Sequence, residues 1–289
     1  MADMTDVISI ESLPAMPVTL ARALPILTDP DGDWDALERL IRQDEALTTA
    51  VLRLANSPRY GAPGRRFDLR NAVSRLGREA LRLAVLQQQV SSLVAGENQA
   101  FGLRRGEMWR SSMAGAIAAD EIARRYAPVT LPVAFTCALL RDIGKLALNA
   151  AFGQTYAAQI AAHAEPDRPF IEAERAALGF DHAQVGGALA RKWNLPERIA
   201  AAIEAHHRPP CPGPGHDLLF DVVHAADTIA RWAGLGVGDD GMEYTLAPHV
   251  RAAFGLDRTQ AERLIALVWE RLGEMENPAG EAPNKGVAA

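Results

Sequence analysis

Cysteine is scarce in this 289-residue chain, with only Cys137 and Cys211 present. They form no CxxC pair, which excludes a disulfide framework and a thiolate metal knuckle. Cys137 sits in an apolar run and reads as core; Cys211 lies in a Pro/Gly-rich loop. Aromatic residues make up only 6% of the chain. No run of about 18 apolar residues occurs, so no bilayer-spanning helix is expected. The start, MADMTDVISI, lacks a basic segment followed by an apolar one, so no secretory leader is expected. Together with the cysteine usage this points to a cytoplasmic protein with no membrane partner. Positive charge is also lacking overall: the net charge is −6 and the pI about 5.7. That argues against a general nucleic-acid binder.

What is present is helix-forming. Hydrophobic residues reach 48% and charged residues 23%, and Ala, Leu, Arg and Glu dominate. The length suits one large domain or two smaller ones. An entry segment broken by Pro14 and Pro17 leads to a helix carrying Leu20, Leu24 and Leu27. The turn TDPDG stops it, and Asp33 is placed to cap a helix with Leu37, Leu40 and Ile41 at helical spacing. QDEALTTAVLRLANS predicts a further helix ending at Asn56-Ser57-Pro58. Helices through Leu69–Leu76 and Leu81–Val94 flank Gly77. The polar, Gly-rich stretch 96–106 reads as a boundary between subdomains.

Beyond it, a helix is expected over Glu107–Tyr126. The apolar run VAFTCALLRDIGKLALNAAF predicts a buried helix by its length and Ala/Leu content. Further helices are expected near 156–164, 170–178, 181–193, 196–206 and 217–233. A glycine-rich loop and a last helix opened by Asp257 then follow, ending near Leu272. No strand is expected. The predicted class is all-α.

One basic segment runs against the acidic background: Arg59, Arg65, Arg66, Arg70, Arg75, Arg78 and Arg82 face only Asp68 and Glu79. It is either a set of solvated helix faces or a surface for an acidic partner or nucleotide phosphate.

The segment LLRDIGKLAL (139–148) resembles the signature of the HD superfamily, in which a His-Asp pair on a buried helix precedes Ile-Gly-Lys. An imidazole and a carboxylate there share a metal, whose bound water attacks a phosphodiester. Here the histidine position is Arg141, which has no lone pair to donate and brings its own positive charge. The helix containing MWRSSMAGA resembles the one that carries an upstream His, but Ser111 stands in its place. Asp142 and Asp227, the latter within His224-Ala225-Ala226-Asp227, are retained.

By the resemblance, His182, His206 and His207 occupy positions that can join a metal site. Read without it, they are packing histidines or cations at a helix C-terminus. Lys145 matches the signature's lysine and reads either as a phosphate contact or as a surface-snorkelling side chain. Buried carboxylates need partners, so Arg141 is expected to pair with Asp142, Asp227 or both.

The phrases LPAMP, QDEALTTAVLRLANSPRYG, AVSRLG, RDIGK, GFDHAQVG and LPERIAAAIEAHH together resemble the HDOD family of HD-related output domains. The resemblance implies an HD-like multi-helix bundle. In it an N-terminal helical subdomain (about 10–100) packs on a degenerate HD subdomain (about 101–272), between an extension (1–9) and a flexible tail (273–289). It further implies a non-catalytic module of bacterial signalling, with no catalytic residue, no metal and no cofactor. A signalling protein is the expected partner, a nucleotide is an open ligand, and nucleic acid is disfavoured. Ser111, Arg141, Asp142, Lys145, His182, His206, His207 and Asp227 form the vestigial site. The groove between the halves, near Arg141 and His182, is the expected ligand cavity. A phosphohydrolase or cyclic-nucleotide phosphodiesterase with an atypical site, and a nucleotide or nucleic-acid binder using 59–82, are the competing readings.

Overall fold

Aspartates set the starts of the early helices, because each side-chain oxygen satisfies an amide that the first turn leaves free. In a computed structural model, which describes residues 15–29, 31–57, 59–62, 66–164, 169–239, 241 and 245–276, α1 (Val18–Thr28) buries Leu20, Ala23, Leu24 and Leu27. Asp33 caps α2 (Trp34–Gln43) by accepting from the Ala36 amide at 2.9 Å. Asp44 caps α3 (Glu45–Ala55) through the Leu47 amide and accepts from Thr19 Oγ1 at 3.1 Å, tying α1 to that turn. Asp68 caps α4 (Leu69–Val94), which lies along α3. Gly77 bends α4 with φ 70° and ψ 172°, a conformation costly for a residue with a Cβ.

The polar stretch 96–106, expected as a boundary between subdomains, is packed in part into the interior. Asn98 and Leu103 form a backbone bridge around a 3₁₀ turn, and Ala100, Phe101 and Leu103 are buried. Asn98 Nδ2 donates to the Lys145 carbonyl and the Ala100 amide to Asn149 Oδ1, which locks the turn onto the second half.

The second half is built around α5 (Glu107–Tyr126), which packs against α6 (Leu131–Leu140), α12 (Leu218–Trp232) and α14 (Arg258–Glu276). Its small residues, Ser111 to Ala119, are all buried and allow close helix approach. The run expected to be one buried helix is two: α6 ends at Leu140, and α7 (Gly144–Phe152) starts after a turn over Arg141–Ile143. Between them and α12 come α8 (Thr155–Ala161), α9 (Phe170–Leu178), α10 (His182–Lys192) and α11 (Glu197–Glu204). Asp181 and Gln184 form a full capping box on α10. A helix absent from the sequence reading, α13 (Pro248–Phe254), precedes α14, and α14 continues to Glu276. Asp257 accepts from the Gln260 amide as expected of its cap.

No strand occurs among the described residues, and the all-α class holds. One continuous buried apolar cluster runs from Leu20 to Leu272 through both halves. Each such Leu or Val contributes about 1.5–3 kcal/mol relative to an exposed one. Cys137 is buried with its thiol pushed up to about 12 by burial, while Cys211 is exposed. No helix among the described residues is long and apolar enough to cross a membrane. The expected extension 1–9, Arg65 and everything after Glu276 lie outside the described residues.

Candidate functional site: a buried charge cluster and three histidines

The turn between α6 and α7 delivers Arg141, Asp142 and Lys145 into the interior rather than to solvent. Arg141 is fully buried. Its Nε donates to Asp227 Oδ1 on α12 at 2.7 Å, and its Nη2 lies 3.3 Å from Asp142 Oδ2. The remaining guanidinium protons go to the Ser111 hydroxyl at 3.0 Å, the Ser111 carbonyl at 3.2 Å and the Ala138 carbonyl at 2.9 Å. Gly115, one turn along α5 from Ser111, leaves the space the guanidinium fills; a Cβ there would collide with Nη1. Arg141, expected to pair with Asp142, Asp227 or both, meets both.

Lys145 departs from the surface reading. It is 2% exposed, lies 3.1 Å from Asp142 Oδ1 and sits 5.1 Å over the Phe101 ring. Asp142 is thus held by charge from two sides rather than by aligned hydrogen bonds. Desolvation would raise its pKa, but Lys145 and Arg141 hold the carboxyl well below its ordinary value. Asp227 behaves alike: burial opposes ionisation, while Arg231 (3.2 Å) and Arg141 keep it charged.

The three histidines keep their expected places at helix ends, and their side chains lie in the interior. His182, at the start of α10, and His206 and His207, just after α11, converge. One ring nitrogen from each lies within 4.8 Å of the others, and His207 Nε2 is 2.8 Å from His182 Nε2. The opposite nitrogens face acceptors: His182 Nδ1 meets Glu174 Oε2 at 2.7 Å, His206 Nδ1 the Ile203 carbonyl at 2.6 Å, and His207 Nδ1 Asp227 Oδ2 at 3.4 Å. Such outer contacts fix tautomers in metal sites. Burial pushes His206 down to about 4 and His207 well below its ordinary value, so both are neutral donors. His182 is shifted the other way: burial lowers it, but the Glu174 carboxylate overcomes this and raises it.

Glu174 was not singled out in the sequence. It is wholly buried, accepting from the Tyr156 hydroxyl and from both the ring and the backbone of His182. The available signal was its place one turn after Ile171, on the apolar face of α9. Arg231 was missed as well, although its spacing of four from Asp227 is a legible helix pair. His224 is structural: Nδ1 faces the His206 carbonyl at 2.8 Å and Nε2 accepts from the Ala247 amide at 3.0 Å.

Would these residues hold a metal ion? The space between Asp142 and Asp227 would not, because the Arg141 guanidinium already meets both carboxylates. Arg141, Lys145 and Arg231 face Asp142 and Asp227, three cations against two carboxylates, so this pair offers no excess negative charge. The histidine triplet has suitable donors, since imidazole is a common metal ligand. Because His182 Nδ1 faces Glu174, the nitrogen it would offer an ion is Nε2, which lies 2.8 Å from His207 Nε2.

The groove near Arg141 and His182 is filled by these side chains. A cavity of about 530 Å³ lies elsewhere, between α3, α4 and α14. Of the six described arginines in 59–82, four are engaged within the protein, while Arg66 and Arg70 are exposed. Arg59 pairs with Glu274, Arg75 donates to the Tyr60 and Gly61 carbonyls, Arg78 lies over Trp34, and Arg82 meets Glu79 and the Pro132 carbonyl.

Comparison with known proteins accords with this architecture. An uncharacterized protein of Treponema pallidum (strain Nichols) is 30% identical over 223 residues, 76% of this chain but only 42% of its own length. This chain therefore spans less than half of that relative. An HDOD domain protein of unknown function from Geobacter sulfurreducens is 26% identical, with TM-score 0.71 over 93% of this chain and 94% of its own. A provisionally assigned phosphohydrolase from Shewanella amazonensis is 27% identical, with TM-score 0.62 over 93% of each chain. A provisionally assigned signal transduction protein from Marinobacter aquaeolei, 21% identical, shares the fold with TM-score 0.67 over 93% of this chain and 59% of its own. The HDOD domain family model matches residues 13–209, and the chain belongs to the HDOD family.

Proposed function

We propose that this chain is a non-catalytic regulatory module of bacterial, cytoplasmic signalling that acts through contacts with a protein partner. The observation that carries this reading is the Arg141 guanidinium between Asp142 and Asp227. A fixed side-chain cation there neutralises the carboxylates that a hydrolytic metal would otherwise bridge. It can neither exchange nor activate water, because a guanidinium stays protonated and accepts no lone pair. The site's chemistry is then structural: it binds the α6–α7 turn to α5 and α12. The relative named for signal transduction supports such a role by its shared fold.

The histidine triplet favours one second reading, a metal-dependent phosphohydrolase whose ion sits on His182, His206 and His207. The Shewanella relative's provisional name points the same way. In that case the ion would supply an activated water. The chain's own residues would orient the imidazoles, through Glu174 and the Ile203 carbonyl, and offer Lys145 and Arg141 as fixed positive charge.

Metal analysis of protein purified without chelator separates the two readings, combined with hydrolysis of bis(p-nitrophenyl) phosphate in the presence of Mn²⁺, Fe²⁺ or Zn²⁺. The regulatory reading expects substoichiometric metal and no turnover. Stoichiometric metal with turnover that Asp142→Ala and His207→Ala abolish would overturn it.

A further inference from the structure

The cavity between α3, α4 and α14 is walled by side chains of two kinds. Leu54, Leu83, Ala84 and Met275 supply an apolar floor, and the small Ala80 and Ala84 of α4 leave the hollow where larger residues would fill it. Arg53, Arg271, Gln87 and Gln88 supply polar groups. The volume of about 530 Å³ suits a small organic ligand.

Many arginines elsewhere on this chain are paired, although the exposed Arg66, Arg70, Arg105, Arg251 and Arg263 have no acidic partner among the described residues. Arg110 meets Glu276, Arg191 meets Glu197 and Glu204, and Arg198 meets Asp217. On the cavity itself, Arg59 meets Glu274. Arg53 and Arg271 have no acidic partner among the described residues. With Arg59 set against Glu274, the lining carries two surplus positive charges on a chain whose net charge is −6. Two free guanidinium forks are suited to a phosphate or phosphate chain. The Tyr60 ring and a guanidinium plane suit the face of a heterocycle, and carboxamides offer both donor and acceptor to its edge. A fatty acid would use the floor but not Gln87 and Gln88; a nucleic-acid strand needs a longer basic track than this hollow gives.

We propose that this cavity is a binding site for a nucleoside phosphate, with the phosphates on Arg53 and Arg271 and the base over the α4 floor. The site lies apart from the buried charge cluster and does not depend on whether that cluster holds a metal. Its wall includes the last turns of α14, a helix that also packs on α5 and α12, which carry Ser111 and Asp227. Occupancy would therefore be felt by the helices that hold the cluster.

The test is calorimetric titration of the full chain with GTP and with ATP in low salt, alongside guanosine, adenosine and inorganic triphosphate. The expected result is saturable binding of at least one nucleotide. That binding should weaken by about tenfold or more in Arg53→Ala and in Arg271→Ala, roughly the loss of one charged hydrogen-bonding group. Ala84→Trp, which fills the hollow, should abolish it. Arg66→Ala and Arg70→Ala, exposed and outside the cavity, should leave it unchanged, and circular dichroism should show each variant folded. Three outcomes would overturn the proposal: no saturable binding of either nucleotide, binding that survives both cavity arginine changes, or triphosphate alone binding as tightly as the nucleotide. Metal analysis is unaffected by any of these, so failure here is distinct from failure of the regulatory reading.

Discussion

Arg141 Nε and Asp227 Oδ1 meet at 2.7 Å, joining the turn after α6 to the middle of α12 across 86 positions of sequence. Both side chains are essentially removed from solvent. Asp142 and Arg231 extend the contact into a chain of alternating charges. A pair of this kind gains little over well-packed apolar residues, because desolvation offsets most of the attraction. Removing one partner is different, since a buried counter-charge is lost and Asp142 keeps only Lys145, Asp227 only Arg231. Arg141→Ala is expected to lose about 3–5 kcal/mol of stability, with Asp142 and Asp227 both short of a counter-charge. Arg141→Met combined with Asp227→Leu should recover much of that loss. Urea unfolding of the wild type, the single variants and the pair measures it; an unchanged midpoint for Arg141→Ala would show that the guanidinium is dispensable.

Much of this was legible before any coordinates. The caps at Asp33 and Asp257 and the breaks at Gly77 and Asn56 follow from local chemistry, which acts within one turn of helix. The pairing of Arg141 followed from the cost of burying two carboxylates. What escaped was non-local. Lys145 looked like a surface residue because nothing in its neighbourhood says that Phe101, from a polar stretch, folds beneath it. Glu174 is an ordinary helix residue until α10 brings His182 against it. That His182, His206 and His207 meet is implied only by the family resemblance, because convergence of α10 and the end of α11 is a tertiary fact that no local pattern carries. The free cavity was sought where the family's site lies, yet that space is packed with side chains. The hollow instead follows from alanines on α4, which sequence periodicity treats as ordinary core.

Titration should separate His206 from His182. His206 is held down to about 4 by burial, against about 6.5 in an unfolded chain. Between those values the unfolded state binds a proton that the folded state refuses, so stability falls as pH drops through this window. One fully exchanged proton gives a slope of about 1.4 kcal/mol per pH unit. His207 is shifted in the same direction and adds to it. Asp142 and Asp227, whose pKa values are depressed, enter only below the unfolded carboxylate value of about 3.9. His182 has the opposite sign: its pKa is raised, so its contribution is complete below about 6.5 and is lost as pH rises through the folded value. Melting temperatures from pH 4.5 to 9 should fall toward the acid end, with a shallower fall in His206→Asn. His182→Gln should flatten the alkaline side instead. An identical acid slope in His206→Asn would mean that another group controls it.

Gly144 offers the sharpest test of how the site is packed. It opens α7 where that helix crosses the start of α10, and a Cβ there would run into the His182 carbonyl oxygen and the Gly186 amide nitrogen. Both are backbone atoms and cannot rotate away. Gly to Ala in an unhindered helix interior is stabilising by up to about 1 kcal/mol, and Gly273→Ala on α14, where nothing lies within 4 Å of the new atom, should show that gain. Gly144→Ala should reverse the sign and cost about 2–3 kcal/mol or more, as overpacking does. It should also push α10 away from α7 and lengthen the 3.7 Å approach of His182 Nε2 to Asp142 Oδ1. Paired thermal unfolding of the two variants, with His182 ring resonances followed by NMR, measures both effects. A stabilised Gly144→Ala with an unmoved His182 signal would mean that the two helices do not cross as closely as the site requires.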